Sequence, residues 1–509
     1  MKLIPWLIRG VIRRRARQVE RARANPVATQ RDQILGMIRR SAGTEWGRRH
    51  GFGKIREVRE YQEAVPIQAY EDLAPLWHRA FDGDRDVTWP GHIPYFSLTS
   101  GTTLGASKAM PVTRDALRAN RRSGLTLLGT MSRLDPETDF LSGQVLYFGG
   151  CTTLARKGAC WQGDASGINA RDLPKMAQKY RLPDLDIAGI SDWEVKVPAI
   201  CERHLTNPVR AVVGLPSWTL ILFHELVKHA NARNGRKYET VAEVWPELRA
   251  FVHFGMDFAP YREQFERIVG RDILYLDTYS SSEGGLNAIQ DTRDDPGMAL
   301  ELDAGVFFEF IPLDERENES PTRLTIGEVE LDRPYSVLLT TVSGIWAYEV
   351  GDAVRFTSLA PPRVVFASRT DHQLNVFGEH VIEEHLERAM AAACRDAGAE
   401  IANYTVASIL PRGDDPRGRH EWLVEFREEP RDAGVFLTSL DTELAAASED
   451  YRAHRASDYQ LLPPLITRVR EGTFYDWMKE TGKLGGQHKV PRVVRTPAME
   501  ARIRELGAL

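Results

Sequence analysis

The sequence predicts an α/β protein in which a large N-terminal α/β domain, with an appended antiparallel β subdomain, is hinged to a smaller α+β C-terminal domain. Three observations predict this. From about Gly91, short apolar runs (PYFSLTS, QVLYFGG, VRAVVGL, RAFVHFG, DILYLDTYS) alternate with turn or helix-start residues, as strands alternating with helices do. From Gly305, the runs GVFFEFIPL, IGEVEL, YSVLLTTVSG, YEVGDAVRF and RVVFASR follow one another through short turns, as in an antiparallel sheet or barrel. After Arg369 the pattern restarts with a helix, strands and further helices, so the expected division is residues 1–367, a hinge at 368–371, and 372–509.

The elements follow in order. Residues before Gly91 read as helical, because RDQILGMIRRSAG and YEDLAPLWHRAFDG carry apolar residues at three- and four-residue spacing. The N-terminal segment sets Arg9, Arg13, Arg14, Arg15, Arg17, Arg21 and Arg23 among Trp6, Leu7, Val11 and Ile12. Such a helix either packs by its apolar side on the protein or rests on anionic lipid. Its apolar stretch is too short for a signal-peptide core. In the C-terminal part, GEHVIEEHLERAMAAACRDAG reads as a helix, NYTVASIL and HEWLVEFR as strands, and LTSLDTELAAASEDYRA as a second helix.

Length and charge narrow the function. A chain of 509 residues has material for several packed units and a large core without disulfides. Its 66 basic and 71 acidic residues give a formal net charge of -5, which argues against a surface built to embrace nucleic acid. The four cysteines (Cys151, Cys160, Cys201, Cys394) form no C-x-x-C pair and fit a reducing compartment. The longest apolar candidate, Ala211 to Val227, is broken by Pro216, Ser217, His224 and Glu225, so no bilayer crossing is expected. The expectation is a cytoplasmic protein.

Three segments carry chemistry. Thr99-Ser100-Gly101-Thr102-Thr103-Leu104-Gly105-Ala106-Ser107-Lys108 packs hydroxyls and glycines into a loop ending in a cation. Backbone N–H groups brought close by glycine, hydroxyl donors and a lysine are the groups that hold phosphate. The glycine spacing is not that of a Walker A loop. Tyr279-Ser280-Ser281-Ser282-Glu283-Gly284 follows an apolar strand, at the kind of strand end where α/β sheets place ligands. Tyr348-Glu349-Val350-Gly351-Asp352 adds an aromatic and a carboxylate able to accept from ribose hydroxyls. Each segment alone is also compatible with an ordinary turn.

Taken in order, TSGTTLGASK, YSSSEG and YEVGD resemble the three nucleotide-binding motifs of the adenylate-forming (acyl-CoA ligase and luciferase-like) superfamily, and within it the auxin-responsive (GH-three) acyl-acid amido synthetases. VPIQAYEDLAPLW, GLPSW, VFFEFIPL, GTFYDW and GGQHKVPR support that branch, and the resemblance runs from about Arg31 to Arg492. RRSAGTEWGRRHGFG is more similar to the bacterial members than to the plant enzymes. The resemblance implies an ATP- and Mg²⁺-dependent ligase in which a carboxylic acid is adenylated and the acyl group then passes to an amine, usually of an amino acid. It implies that Ser100, Thr102, Thr103 and Lys108 contact the phosphates, that Tyr279 lies against adenine, and that Ser282 holds the phosphate region. Glu283 would bind Mg²⁺, Asp352 would grip the ribose, and Lys489 would reach the site from a mobile C-terminal domain. A monomer is the family expectation, with small-molecule partners and no nucleic acid. Two departures stand out: Ser280 replaces a small apolar residue of the plant members, and the hinge Ser368-Arg369-Thr370-Asp371 resembles G-R-x-D with serine for glycine.

Other readings stay open. Transfer to a thiol, on coenzyme A or a carrier protein, would use the same first step, and a non-catalytic nucleotide-binding protein would keep the same loops. Trp218, beside a Gly-Leu-Pro turn, fits an acyl-pocket wall or plain core equally well. His224-Glu225-Leu226-Val227-Lys228-His229 has its second histidine one position too late to share zinc with the first. The acid and the amine are not legible in the sequence.

Overall fold

A computed structural model describes residues 3–98, 108–235, 237–255, 258–316, 318–369, 374, 379, 381–409, 418–455, 461–484, 489–494 and 496–508. Ser100, Thr102, Thr103, Thr370 and Asp371 lie outside the described residues. The chain divides into two compact units: Met1–Leu215 with Glu225–Gly255 and Arg271–Phe366, and Pro216–His224 with Met256–Gly270 and Ala367–Leu509. It is a mixed α/β protein with a large N-terminal and a smaller C-terminal domain.

The strands in chain order are β1 (Tyr95–Leu98), β2 (Ala109–Val112), β3 (Gln144–Phe148), β4 (Ala155–Lys157), β5 (Cys160–Asp164), β6 (Arg181–Leu182), β7 (Val209–Gly214), β8 (Ala250–Phe254), β9 (Leu274–Ser281), β10 (Gly285–Gln290), β11 (Met298–Leu300), β12 (Val306–Pro312), β13 (Pro334–Thr341), β14 (Ile345–Leu359), β15 (Pro362–Arg369), β16 (Glu400–Ile409), β17 (Arg419–Glu428) and β18 (Leu465–Val469). One sheet runs β12-β13-β14-β15-β11-β10-β9-β8-β7-β3-β6. Its β9-β8-β7-β3-β6 side is parallel, and among the described residues the β9-β10, β10-β11, β11-β15, β12-β13 and β13-β14 pairings are antiparallel. The antiparallel strands therefore continue the sheet of the α/β core. A second sheet, β2-β1-β5-β4, holds β1 and β2 antiparallel, with Leu98 opposite Ala109.

IGEVEL, expected as a strand, is a turn: Glu328 takes backbone and hydroxyl hydrogen bonds from Thr325, Leu331 makes a single bridge to Phe356, and Glu330 N donates to the Tyr335 hydroxyl at 2.9 Å. Capping by the carboxylate outcompetes the strand here. β12 is buried throughout, which explains its unbroken apolar reading. Its one charge, Glu309, is satisfied by a two-pronged Arg323 pair (3.0 and 2.9 Å) and by Gln62 at 2.9 Å.

The first ninety residues form helices around Trp46, Phe52, Tyr61, Trp77 and Trp89, which pack with Trp346. The N-terminal helix, Leu3–Ala24, belongs to the large unit and buries Arg15, Val19 and Ala22. Arg15 donates to Thr126, Glu301 and Asp303, while Arg9 pairs with Asp139 and Arg23 with Asp291. Three of its arginines thus serve the protein itself. No described helix is long and apolar enough to cross a membrane.

In the smaller unit, the Glu383–Ala397 and Ala433–Ala447 helices pack with the sheet β16-β17-β18 around Tyr404, Trp422, Phe436 and Leu440.

Candidate active site

The second motif is built as a tight turn between β9 and β10. Ser281 Oγ accepts from Gly284 N and Asn287 Nδ2, both at 3.1 Å, which fixes the turn carrying Ser282 and Glu283. A Cβ on Gly284 would stand 2.2 Å from Oδ1 of the buried Asn287, so the turn requires glycine there. Ser282 and Glu283 are half-buried and line a narrow cleft of about 40 Å³. The opposite wall is held by Thr113: its Oγ1 accepts from Ala116 N at 3.1 Å to cap the Arg114–Leu134 helix, and donates to Val342 O at 2.6 Å. Val342 N in turn donates to Gly305 O at 3.0 Å. Helix start and strand turn are thereby joined at the cleft.

Tyr279 and Asp352, from the second and third motifs, meet directly. The Tyr279 hydroxyl donates to Asp352 Oδ2 at 2.9 Å, with the residues 7% and 5% exposed. A charge-assisted bond in so dry a place holds the carboxylate in one orientation. The Tyr279 ring itself packs in the core cluster of the antiparallel strands. In the third motif, Tyr348 packs near Trp77, and Glu349 accepts from Arg316 Nε and Ser336 Oγ, each at 2.7 Å.

Lys108 immediately precedes β2, half-buried, with Nζ 5.2 Å from the Tyr70 ring centroid. Tyr70 also accepts from Ala109 N at 3.1 Å through its hydroxyl, so the tyrosine holds both the strand start and the cation. Close by the cleft, Asp164 accepts from Cys151 N at 2.5 Å ahead of the Ala165–Asp172 helix. Burial holds the Lys196 ammonium below its ordinary value, a shift that the neighbouring Cys151 and Asp164 oppose.

Two predicted residues belong to the smaller unit. Lys489 Nζ pairs with Glu383 Oε1 at 3.2 Å. Its segment is anchored by buried Arg492, which pairs with Glu387, donates to Asn403 Oδ1 at 2.7 Å and lies over the Tyr404 ring at 4.2 Å. Trp218, in the Pro216–Asn234 helix, is 5% exposed and sits 6.1 Å from the Tyr475 ring.

Sequence reasoning missed Asn120, Asn169, Thr341 and Ser343, which also line the cleft. A signal existed for the first two: each asparagine stands inside a helix, where its side chain competes with the backbone and disfavours the helix.

Sequence models of the GH3 family match this chain over residues 15–158 (GH3 family N-terminal domain), 299–369 (central domain) and 384–498 (C-terminal domain). The chain belongs to the GH3 family. It is 25% identical to indole-3-acetic acid-amido synthetase GH3.8 of Oryza sativa subsp. indica, over 92% of this chain and 88% of the relative. The jasmonoyl-L-amino acid synthetase GH3.5 of Oryza sativa subsp. japonica is 23% identical, over 91% of this chain and 92% of that protein. In fold, the chain is similar to the solved GH3.15 acyl acid amido synthetase, with a TM-score of 0.77, 18% identity, and coverage of 94% and 93%. Membership in GH3 places the chain among adenylate-forming ligases whose named homologues are amido synthetases.

Proposed function

We propose that this GH3 protein uses ATP to adenylate a small carboxylic acid and transfers the acyl group to the amine of an amino acid, releasing pyrophosphate and then AMP. The observation that carries the reading is the Tyr279–Asp352 hydrogen bond. It joins two motifs far apart in sequence into one oriented carboxylate, as a ribose-gripping role demands.

The roles follow from the chemistry. The acid's carboxylate oxygen attacks the α-phosphorus, the bond to the β-phosphate oxygen breaks, and pyrophosphate leaves. The obstacle is the approach of two anions and the charge on the transferring group. Ser100, Thr102, Thr103 and Lys108 meet it with hydroxyls and a cation, and Ser282 donates to the same phosphate region. Asp352 holds the ribose, and Tyr279 fixes Asp352 from beside the adenine end. Glu283 and Ser282 give hard oxygen donors at the cleft, the donor type that suits Mg²⁺ alongside substrate phosphates. When bound, Mg²⁺ would supply neutralisation of phosphate charge.

The second step follows from the mixed anhydride. The amine nitrogen attacks its carbonyl carbon, the C–N bond forms, AMP leaves and the amine loses a proton. In this reading the chain divides into 1–367, a hinge at 368–371 and 372–509, and Lys489 is delivered by the hinged domain. Trp218 helps to bound the acyl side. The enzyme works in the cytoplasm as a monomer.

The test is ATP-dependent pyrophosphate release over a panel of aromatic, indole, fatty and hydroxy acids, each with and without amino acids. Release that requires an acid and forms an amide product of the expected mass supports the reading. Release stimulated by coenzyme A but indifferent to amines would move the chain to thioester formation.

A further inference from the structure

The cleft beside Ser282 and Glu283 has a wall that the nucleotide motifs do not account for. Asn120, on the Arg114–Leu134 helix, donates through Nδ2 to Oδ1 of Asn169, on the Ala165–Asp172 helix, at 3.0 Å. Asn169 Nδ2 donates to Ala165 O at 2.9 Å. Asn120 Oδ1 fills the space beside Gly285, where a Cβ would stand 1.9 Å from it and where φ is +76°. Arg121, the next residue, pairs with Asp172, about a turn past Asn169, at 3.1 Å and ties the same two helices together. Both amides are thus held in place. A primary amide has two N–H donors and an oxygen with two lone pairs, and these bonds use one donor of each.

Two asparagines inside helices cost helix propensity, and a ligand that displaces water from these half-buried amides must complete their hydrogen bonding or leave them desolvated. The remaining wall is built of small side chains, Val112, Ala116, Ala119, Ala304 and Val342, beside the hydroxyls of Thr341 and Ser343. No aromatic side chain lines it among the described residues, whereas sites for flat rings are usually walled by aromatic and large apolar groups. Neither Tyr279 nor Asp352 lines it, so the cleft is not the ribose end of the site.

We propose that this cleft receives the acid, and that the acid is short and aliphatic and carries a hydroxyl or oxo group that Asn120 and Asn169 hydrogen-bond. The proposal rests on the adenylation reading. It is tested on the full chain by acid-dependent pyrophosphate release with matched pairs such as 2-hydroxybutyrate, 2-oxobutyrate and butyrate, beside indole-3-acetate and benzoate. The oxygenated acids are expected to lead butyrate in kcat/KM by about ten- to a hundredfold, since each lost bond leaves a desolvated amide unpaired. In Asn120→Ala and Asn169→Ala that lead should collapse to within about threefold. Asn120→Asp and Asn169→Asp keep the side-chain shape while removing the amide donors, and should collapse the lead of the oxo acid, which can only accept, if an alanine variant does not fold. A preference for indole or aromatic acids, an equal rate with butyrate, variants that keep the lead, or variants that slow only the amine step would each overturn the inference alone. Silence with every acid would overturn the adenylation reading and this inference with it.

Discussion

Replacing Asp352 with asparagine, and Tyr279 with phenylalanine, tests the ribose role at its most specific point. The pair is almost fully desolvated and bonded at 2.9 Å, so the carboxylate is oriented before any nucleotide arrives. A hydrogen bond to a charged group contributes about 1.5–3 kcal/mol, against about 1 for a neutral one. Asp352→Asn keeps the shape and turns charged acceptance from the ribose hydroxyls into neutral acceptance, a loss of about 1–2 kcal/mol. At 1.4 kcal/mol per decade, the KM for ATP should rise by about five- to thirtyfold with a smaller change in kcat, because a ground-state contact is what is weakened. Tyr279→Phe removes the orienting donor and should raise the same KM by a few-fold to about tenfold.

The double variant should cost less than the product of the single effects, since directly bonded groups couple by about 0.5–3 kcal/mol. The assay is the initial rate of acid-dependent pyrophosphate release against ATP concentration at saturating acid, with thermal unfolding measured on the same samples. An unchanged KM for ATP in Asp352→Asn, or fully multiplicative effects in the double variant, would refute the reasoning.

Glu283→Gln should lower activity by about a hundredfold or more and shift the Mg²⁺ titration to higher concentration, because several kcal/mol of charge stabilisation go with the carboxylate; activity that keeps its Mg²⁺ dependence would count against Glu283. Arg15→Met should destabilise the large unit by about 3–5 kcal/mol, because Glu301, 1% exposed, would keep its burial and lose its cation. Chemical denaturation reads that loss, and an unmoved midpoint would show the N-terminal helix to be dispensable. Burial pushes the Cys160 thiol up to about 11 and the Cys201 and Cys394 thiols up to about 12, against an ordinary 9.0 in the unfolded chain. Each folded value is raised, so the stability involved is complete below pH 9.0 and is lost as pH climbs through about 11 and 12; urea unfolding from pH 8 to 11 should show the decline, and replacing all three by alanine should make it shallower, the buried tyrosines Tyr61, Tyr261 and Tyr404 supplying the remainder.

What the sequence makes legible here is local. VRAVVGL, RAFVHFG and DILYLDTYS are short, apolar and bounded by turn residues, and they stand side by side as β7, β8 and β9. IGEVEL has the same look, yet a threonine and a glutamate three apart cap a turn and take it out of the sheet. Arg15 could be read as one arginine among seven because its partners, Glu301 and Asp303, lie 286 and 288 residues away. Asn120 and Asn169 went unread because an asparagine inside a helix is a weak signal by itself: what marks the two as a pair is each other and Gly285, and no spacing along the chain records that.

The site depends on a curvature that no motif encodes. In the sheet order, β14 and β9 are separated by β15, β11 and β10. Four steps of about 4.8 Å would set Asp352 and Tyr279 roughly 19 Å apart on a flat sheet, yet their side chains meet at 2.9 Å. The antiparallel strands must therefore curl until the third motif faces the second, around the core of Phe308, Phe310, Tyr335 and Phe356. The large apolar residues of β12 and β13 fill the inside of that curl, and their burial favours closing it. The nucleotide chemistry read from YSSSEG and YEVGD thus relies on VFFEFIPL and YSVLLTT, segments with no catalytic residue of their own, to bring an aspartate and a tyrosine within one hydrogen bond.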